Sequence, residues 1–211
     1  MPGYDRNLIL VFLDGSDDPE LNAQARALQA KSESGGRPAA IASVRFDRDT
    51  SSFEAAELTP LRKAIGELTT ESRLYLLGKG DWRLRTLGMA SAEQVADLLG
   101  AARLRDVKTL SIVSDALGRD VQPLESDVVP EISDSFAAQL HRKLRERYNV
   151  CTTVHARVSR VVVSTDPATL GRKRTANAED ELDSPTEGHH RQHSKLRFFW
   201  KDGRQERDWA Y

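Results

Sequence analysis

The sequence predicts an α/β protein whose central sheet is largely parallel. Short apolar runs alternate along the chain with segments of helical periodicity, and this alternation is typical of strand–helix–strand units. Several of the apolar runs end in polar or glycine-containing turns, such as Asp14-Gly15 and Gly78-Lys79-Gly80. The chain of 211 residues has the length of one domain, or of one domain with an appendage.

Seven apolar or alternating runs are predicted as strands. The first and the fourth are of the kind that parallel sheets bury on both faces, whereas the second and the last alternate in polarity. In chain order the predicted strands are residues 8–13, 40–46, 73–77, 108–114, 152–158, 160–164 and 195–200. Residues 201–203 are predicted to be the turn of a hairpin that the last strand begins.

Four segments are predicted as helices. Asp17-Asp18-Pro19-Glu20 predicts the start of the first, which runs to about Lys31, since proline and acidic residues favour a first helical turn. Thr59-Pro60 is expected to cap the second, and residues 91–94 form a capping box at the start of the third. The fourth is expected to include Ser133-Asp134 at its start, with an apolar residue at every fourth position of residues 132–144.

Composition excludes several classes of protein. The 31 Lys and Arg residues nearly balance the 32 Asp and Glu residues, so the chain is not a bulk basic nucleic-acid binder. The single cysteine, Cys151, excludes a disulfide framework and a multi-cysteine metal site, and a lone strand cysteine is expected to be buried. The early apolar run is too short to span a membrane. We expect a soluble protein without a Sec-type signal of its own, with neither a membrane span nor a nucleic-acid partner.

Two predicted strands end in polar residues that suggest a site. Open α/β sheets bind ligands at the carboxyl ends of their strands. Lys79 lies in the turn after the third strand, and Ser114-Asp115 follows the fourth. If those strands are neighbours, Lys79 and Asp115 face each other across a crevice. The alternative is that Lys79 is a solvated loop lysine and Asp115 a turn former, since neither residue belongs to a strong catalytic motif.

The order of these segments resembles that of a known family. The matching segments are residues 7–11, 74–80, 87–95, 110–117, 171–173 and 195–200. Together they resemble the inositol-hexakisphosphate-activated cysteine protease domains of RTX toxins and clostridial glucosylating toxins. The resemblance implies a caspase-like α/β sheet with a C-terminal β-flap. It also implies a single domain over residues 1–211, with a core of about 4–165 and a flap of about 166–211. The length and polarity of residues 176–194 favour a mobile flap over a domain linker.

The sequence departs from the family at both catalytic positions. Lys79 stands where the family has its catalytic histidine, and Asp115 stands where it has its nucleophilic cysteine. A cysteine protease needs a thiolate and a nearby imidazole, and an aspartate with a protonated lysine supplies neither. We therefore predict no catalytic residues by the family mechanism, and an ion pair between Lys79 and Asp115. The alternative is a hydrolase with altered chemistry that uses Lys79 with Ser114 or Asp115.

The basic residues at the family's ligand-binding positions are better preserved. Arginine grips phosphate oxygens bidentately and lysine supplies a compact charge, so such residues suit a polyanion. Carried over by position, the candidates are Arg85, Arg157, Arg172, Lys173, Lys195, Arg197 and Lys201, with Arg174 as a further one. Alternation places Lys195 and Arg197 on one face of their strand. The alternative is a solvated edge strand, because edge strands often carry lysine.

The resemblance implies a catalytically degenerate protease domain that binds inositol hexakisphosphate or a similar polyanion. Such a domain would act as a regulatory or effector module in bacterial virulence, cytoplasmic in the producer or delivered into a host cell, with a host or toxin protein as a further partner. The remaining alternative is a plain protein-interaction scaffold. His189, His190 and His193 lie in a polar segment and are interpreted as solvated, so no metal is expected.

Overall fold

The computed structural model describes residues 3–120, 133–175 and 195–210. The helices of this part of the chain are α1 (Pro19–Ser34), α2 (Ala55–Gly66), α3 (Ala92–Ala101) and α4 (Phe136–Tyr148), with a 3-10 turn at Pro167–Thr169. The first strands are β1 (Asn7–Asp14), β2 (Ala39–Asp47), β3 (Ser52–Phe53), β4 (Arg73–Gly78), β5 (Gly80–Asp81), β6 (Thr86–Leu87) and β7 (Ala90–Ser91). The later strands are β8 (Thr109–Val113), β9 (Val154–Arg157), β10 (Val161–Val163), β11 (Lys173–Thr175), β12 (Lys195–Lys201) and β13 (Arg204–Trp209).

An eight-stranded sheet forms the centre of the protein, with the strand order β13-β12-β9-β8-β4-β1-β2-β3. The five strands from β9 to β2 are parallel to one another. The hairpin of β12 and β13 joins β9 in antiparallel fashion, and the short β3 closes the other edge. The prediction of an α/β protein with a largely parallel sheet is therefore confirmed, and the arrangement is consistent with a caspase-like α/β fold.

Helices cover the two faces of the sheet unequally. Side chains alternate along a strand, so Leu8 and Leu10 of β1 point to one face and Ile9 and Val11 to the other. The first set packs with α2, α3 and α4 in the larger core cluster. The second set packs with α1 and with β10 of the small β10–β11 hairpin, which we call the flap hairpin. Of the helices in the described part of the chain, α1 alone packs on this second face, which is called the α1 face below.

The boundaries of two predicted helices were wrong. Helix α2 begins at Ala55 with Glu54 as its N-cap residue, so Thr59-Pro60 lies inside the helix. The residues before Pro60 are mostly alanine, glutamate and leucine, which favour helix more strongly than Thr59 does. Helix α4 begins at Phe136 because Ser135 caps it, and Ser133 and Asp134 precede the helix. The loop and flap predicted for residues 118–130 and 176–194 lie mostly or wholly outside the described residues.

Other local predictions were correct. Ser91 and Gln94 form the reciprocal hydrogen bonds of a capping box at α3. Strands β12 and β13 form a hairpin that turns at Asp202-Gly203. This hairpin belongs to the central sheet, whereas β11 of the predicted flap pairs with β10 outside it. Cys151, predicted as buried, is exposed, because β9 begins only at Val154. None of the four described helices combines the length and apolar character needed to cross a bilayer.

Candidate anion-binding site

The crevice where Lys79 and Asp115 were predicted to meet contains two separate ion pairs. Strand order reverses between β1 and β4, which places the start of α1 beside the end of β4. Lys79 Nζ lies 2.7 Å from an oxygen of Asp18, the N-cap residue of α1, and Asp115 lies 3.6 Å from Nε of Arg160. The predicted ion pair between Lys79 and Asp115 was wrong. Lys79 turns toward β1 and α1 rather than toward β8.

These contacts keep Lys79 charged. The hydrogen bond from Lys79 lowers the pKa of Asp18, and the same contact raises the pKa of Lys79. A lysine that holds its proton this firmly is a poor general base. Because Lys79 stays protonated, it is not suited to act as a general base in this crevice.

Ser114 does not complete a serine–lysine pair. Its side chain is buried and donates a hydrogen bond of 2.7 Å to the carbonyl oxygen of Gly78. A Cβ atom at Gly80 would lie 2.3 Å from Ser114 Oγ, so the glycine allows the loop after β4 to approach β8 this closely. The hydroxyl thus links the ends of β4 and β8, and the side-chain partner of Lys79 is Asp18 rather than Ser114. The geometry gives no support to the hydrolase alternative.

Replacing Asp18 by alanine should lower the free energy of unfolding by about 1 kcal/mol, the usual cost of losing an N-cap side chain. Asp18 accepts the backbone N–H groups of Glu20 and Leu21, and both bonds would be lost. Lys79→Ala is the matched control, because it removes the exposed ion pair and leaves the cap in place. Urea unfolding measures both. Equal losses in the two variants would contradict this account.

A cavity of about 550 Å³ opens on the α1 face of the sheet, between α1 and the flap hairpin. We call it the cationic cavity. Its charged lining residues are Lys31, Arg37, Arg73, Arg157, Arg172 and Lys173, and its other lining residues are Tyr4, Asn7, Leu28, Ser32, Tyr75 and Gly171. No described residue that lines it is Asp or Glu. The cations come from α1 and the loop after it, from β4, from β9 and from the flap hairpin, so distant parts of the chain build one basic pocket.

Close packing of the flap hairpin on α1 forms one wall of this cavity. Gly171 has a φ of +66°, and a Cβ atom there would lie 2.5 Å from the carbonyl oxygen of Ala27. Only glycine adopts this conformation at such a short distance without strain. Lys31 Nζ also donates to the carbonyl oxygen of Gly171 over 3.2 Å. Gly171 therefore sets where Arg172 and Lys173 enter the cavity.

Tyrosines hold Arg73 at the floor of the cavity. Its guanidinium donates to the hydroxyl of Tyr75 over 2.8 Å and to the hydroxyl of Tyr4. It also lies 3.6 Å from the centre of the Tyr4 ring. Lys173 Nζ lies 4.3 Å from the centre of the Tyr75 ring. Aromatic faces attract cations, but they do not neutralise them as a carboxylate would.

Sheet register adds further positive charge at the side of the cavity. Lys195 of β12 lies directly opposite Arg157 of β9, and Arg197 lies opposite His155. Two like charges directly opposite each other on paired strands destabilise a sheet. An anion bound between them would reverse that effect. The register therefore places Lys195 where its charge would attract an anion bound in the cavity.

Burial and mutual repulsion lower the pKa values of the basic groups around the cavity. Desolvation is the largest cause for each of Lys31, Arg157, Lys173, Lys195 and His155. Neighbouring cations add to it for Lys31, Lys173, Lys195 and His155. The pKa of Lys195 falls to about 8, that of His155 to about 3, and that of Lys173 well below its usual value. An anion would raise each of these pKa values.

The predicted ligand-binding residues divide into two groups. Arg157, Arg172 and Lys173 line the cavity, and Lys195 lies beside it. Arg85 forms an ion pair with Asp134, Lys201 lies 4.0 Å from Glu206, and Arg197 pairs with Asp208 beside a second cavity. Arg85, Arg197 and Lys201 do not line the cationic cavity, and each lies beside a carboxylate instead. The side chain of Arg174 lies outside the described part of the chain.

The sequence interpretation missed Lys31, Arg37 and Arg73. Arg73 and Tyr75 share one face of a predicted strand. The signal that could have pointed to Arg73 was its charge in an otherwise apolar run, two positions from a tyrosine. Lys31 lies at an exposed position in the last turn of α1, where a lysine is usually solvated. Nothing local distinguishes it. Only the contact of α1 with the flap hairpin turns it into part of a site.

A metal site finds no support in the described residues, which contain no group of three His, Cys, Asp or Glu side chains suited to hold an ion. His189, His190 and His193 lie outside that part of the chain. Comparison of the sequence with models of known protein families gives no match, and a search of curated proteins gives none either. The resemblance to toxin protease domains therefore stays a prediction.

Proposed function

We propose that the protein binds a highly phosphorylated small molecule, of which inositol hexakisphosphate is the model, and that it does so without protease activity. The observation that supports this most directly is the cationic cavity itself. Six basic side chains from five separate parts of the chain surround about 550 Å³ of space, with no described carboxylate among its lining residues. Pockets of this size commonly hold small ligands.

Electrostatics explains why the cationic cavity would favour an anion. Cations held close together in partly desolvated surroundings repel one another, and a polyanion removes that repulsion as it binds. Arg73 offers a guanidinium fixed by two tyrosines, which is suited to bidentate contact with phosphate. Arg172, which is exposed at the entrance, offers a second. Both could contact phosphates of one ligand.

The role that follows is regulatory. Ligand in the cavity would contact both α1 and the flap hairpin, and so would hold the two elements together. The crevice at the other end of α1 has Lys79 paired with Asp18 in place of a reactive dyad. We propose a degenerate member of the toxin protease family that acts as a ligand-responsive effector or interaction module, with a host or toxin protein as its partner.

Calorimetry with inositol hexakisphosphate tests the proposal. We expect binding by the wild-type protein that weakens as salt is added. At 100 times the dissociation constant the ligand should stabilise the fold by about 2.7 kcal/mol. Arg73→Ala should weaken binding by about tenfold to a hundredfold, because a charged hydrogen-bond partner of the phosphates is lost.

Arg204→Ala is the matched control, since Arg204 is an exposed arginine of β13 that does not line the cavity. It should leave the affinity nearly unchanged. Equal losses in both variants would show that binding depends on net charge alone. No heat and no thermal stabilisation at low salt would reject the proposed function.

A further inference from the structure

One lysine in the cationic cavity has surroundings that differ from those of an ordinary surface lysine. Lys173 Nζ lies against the ring of Tyr75, whose side chain is buried. Four cations face it from four elements: Arg73 of β4, Arg157 of β9, Lys195 of β12 and Lys31 of α1. No described carboxylate lines the cavity. An ammonium group at this place would be both desolvated and surrounded by like charge.

Such surroundings favour the neutral amine. Burial, with repulsion from the same four cations, holds the pKa of Lys173 well below its usual value. A neutral amine has a free electron pair and is a nucleophile, whereas an ammonium is not. Lys79 is the contrast within this chain, because its contact with Asp18 raises its pKa. The groups that suppress the charge of Lys173 are also groups that bind phosphate.

We propose that Lys173 is a covalent binding site for small aldehydes that carry a phosphate group. This inference rests on the proposed function, because the neighbouring cations must bind the phosphate. The amine nitrogen attacks the carbonyl carbon, and a C–N bond forms as the C=O π bond opens to an alkoxide. Transfer of a proton from nitrogen to that oxygen gives a carbinolamine. Loss of water then gives an imine, and no oxidant or reductant takes part.

Two other lysines near the cavity are weaker candidates. Lys31 Nζ already donates to the carbonyl oxygen of Gly171 in the cavity wall. Lys195 has a pKa of about 8 and lies opposite Arg157, but it is not among the residues that line the cavity. The phosphate-binding groups would therefore bring an aldehyde to Lys173 first.

Reductive trapping with pyridoxal 5′-phosphate tests the inference on the full chain. The protein is mixed with the aldehyde, the imine is reduced with borohydride, and the modified peptides are mapped by mass spectrometry. We expect Lys173 to be modified at least ~10 times faster than the exposed Lys63 and the half-buried Lys143, because an ordinary lysine is almost entirely protonated at neutral pH. Pyridoxal, which lacks the phosphate, should modify Lys173 at least ~10 times more slowly than its phosphate does. Excess inositol hexakisphosphate should block the modification.

Variants then locate the reactive group. Lys173→Arg should abolish the fast modification, and Lys201→Arg, a change at an exposed lysine of β12 that does not line the cavity, should retain it. The wild-type peptide map gives the same answer if Lys173→Arg fails to fold. Uniform modification of all lysines, or preferential modification of Lys195, would overturn the inference. Binding of inositol hexakisphosphate without fast modification of Lys173 would overturn this inference alone, whereas failure of both experiments would also reject the proposed function.

Discussion

Asp120→Asn should lower the free energy of unfolding by about 3–5 kcal/mol, the usual effect of removing one partner from a buried ion pair. The side chains of Asp120 and Arg207 are only 7% and 9% exposed, and their charged atoms lie 2.7 Å apart. Asp120 also accepts hydrogen bonds from Ser133 and from the backbone N–H groups of Asp134 and Ser135. Asparagine keeps one oxygen that can accept the bonds from Ser133, Asp134 and Ser135, but it replaces the carboxylate oxygen that faces the buried Arg207 with an amide NH2 group.

The expected loss has a definite pH dependence. Burial alone would raise the pKa of Asp120, but the hydrogen bonds from Ser133 and Arg207 outweigh it, and the pKa lies below its usual value. A carboxylate with a lowered pKa stabilises the fold above its unfolded pKa, and this contribution disappears as the pH falls through the folded value. The wild type and Asp120→Asn should therefore differ fully at pH 7. They should converge as the pH falls below about 4.

Arg197→Ala is the matched control for this experiment. Arg197 pairs with Asp208 on the same hairpin, but both side chains are more than 40% exposed. An exposed pair contributes at most about 1 kcal/mol after solvent screening. Urea unfolding at pH 7 compares the variants. A loss for Asp120→Asn no larger than that for Arg197→Ala would show that Asp120 does not anchor the hairpin to the start of α4.

Strands were easier to predict from the sequence than their contacts. The run of residues 8–13 is apolar because β1 is buried on both faces, so its periodicity and burial have the same cause. Lys79 is different, because its partner depends on which strand lies beside β4. The start of α1 brings Asp18 to that place, and no feature of the sequence near Asp115 reveals it. Tertiary arrangement decides such pairs.

The site was predictable to the extent that it is made of strand residues. Arg157 and Lys195 are placed by β9 and β12, which were predicted as strands, and their register brings them together. Arg85 was assigned to the site by position as well, but it does not line the cavity. It adopts a positive φ of 55° in the loop after β5, and its guanidinium turns to Asp134 instead. Loop residues have no alternation to fix the direction of their side chains.

Binding of inositol hexakisphosphate should be accompanied by proton uptake and should weaken as the pH rises above about 8. Lys195 has a pKa of about 8 in the ligand-free protein, lowered by burial and by repulsion from Arg73, Arg157 and Arg197. Bound phosphates would raise that pKa toward its usual value. Between the two values the free protein must take up a proton to bind, so each pH unit costs up to about tenfold in affinity.

Lys195→Arg separates this effect from the titration of the ligand itself, because arginine stays charged at every pH of interest. Calorimetry at pH 8.5 in buffers of different ionisation enthalpy counts the protons taken up by each protein. The wild type should take up more than Lys195→Arg, and its affinity should fall more steeply between pH 8 and pH 9.5. Lys173→Arg should also take up fewer protons than the wild type, since Lys173 too has a lowered pKa. If all three proteins take up equal numbers of protons, Lys173 and Lys195 already carry their charge before the ligand binds, and repulsion among these cations does not drive polyanion binding.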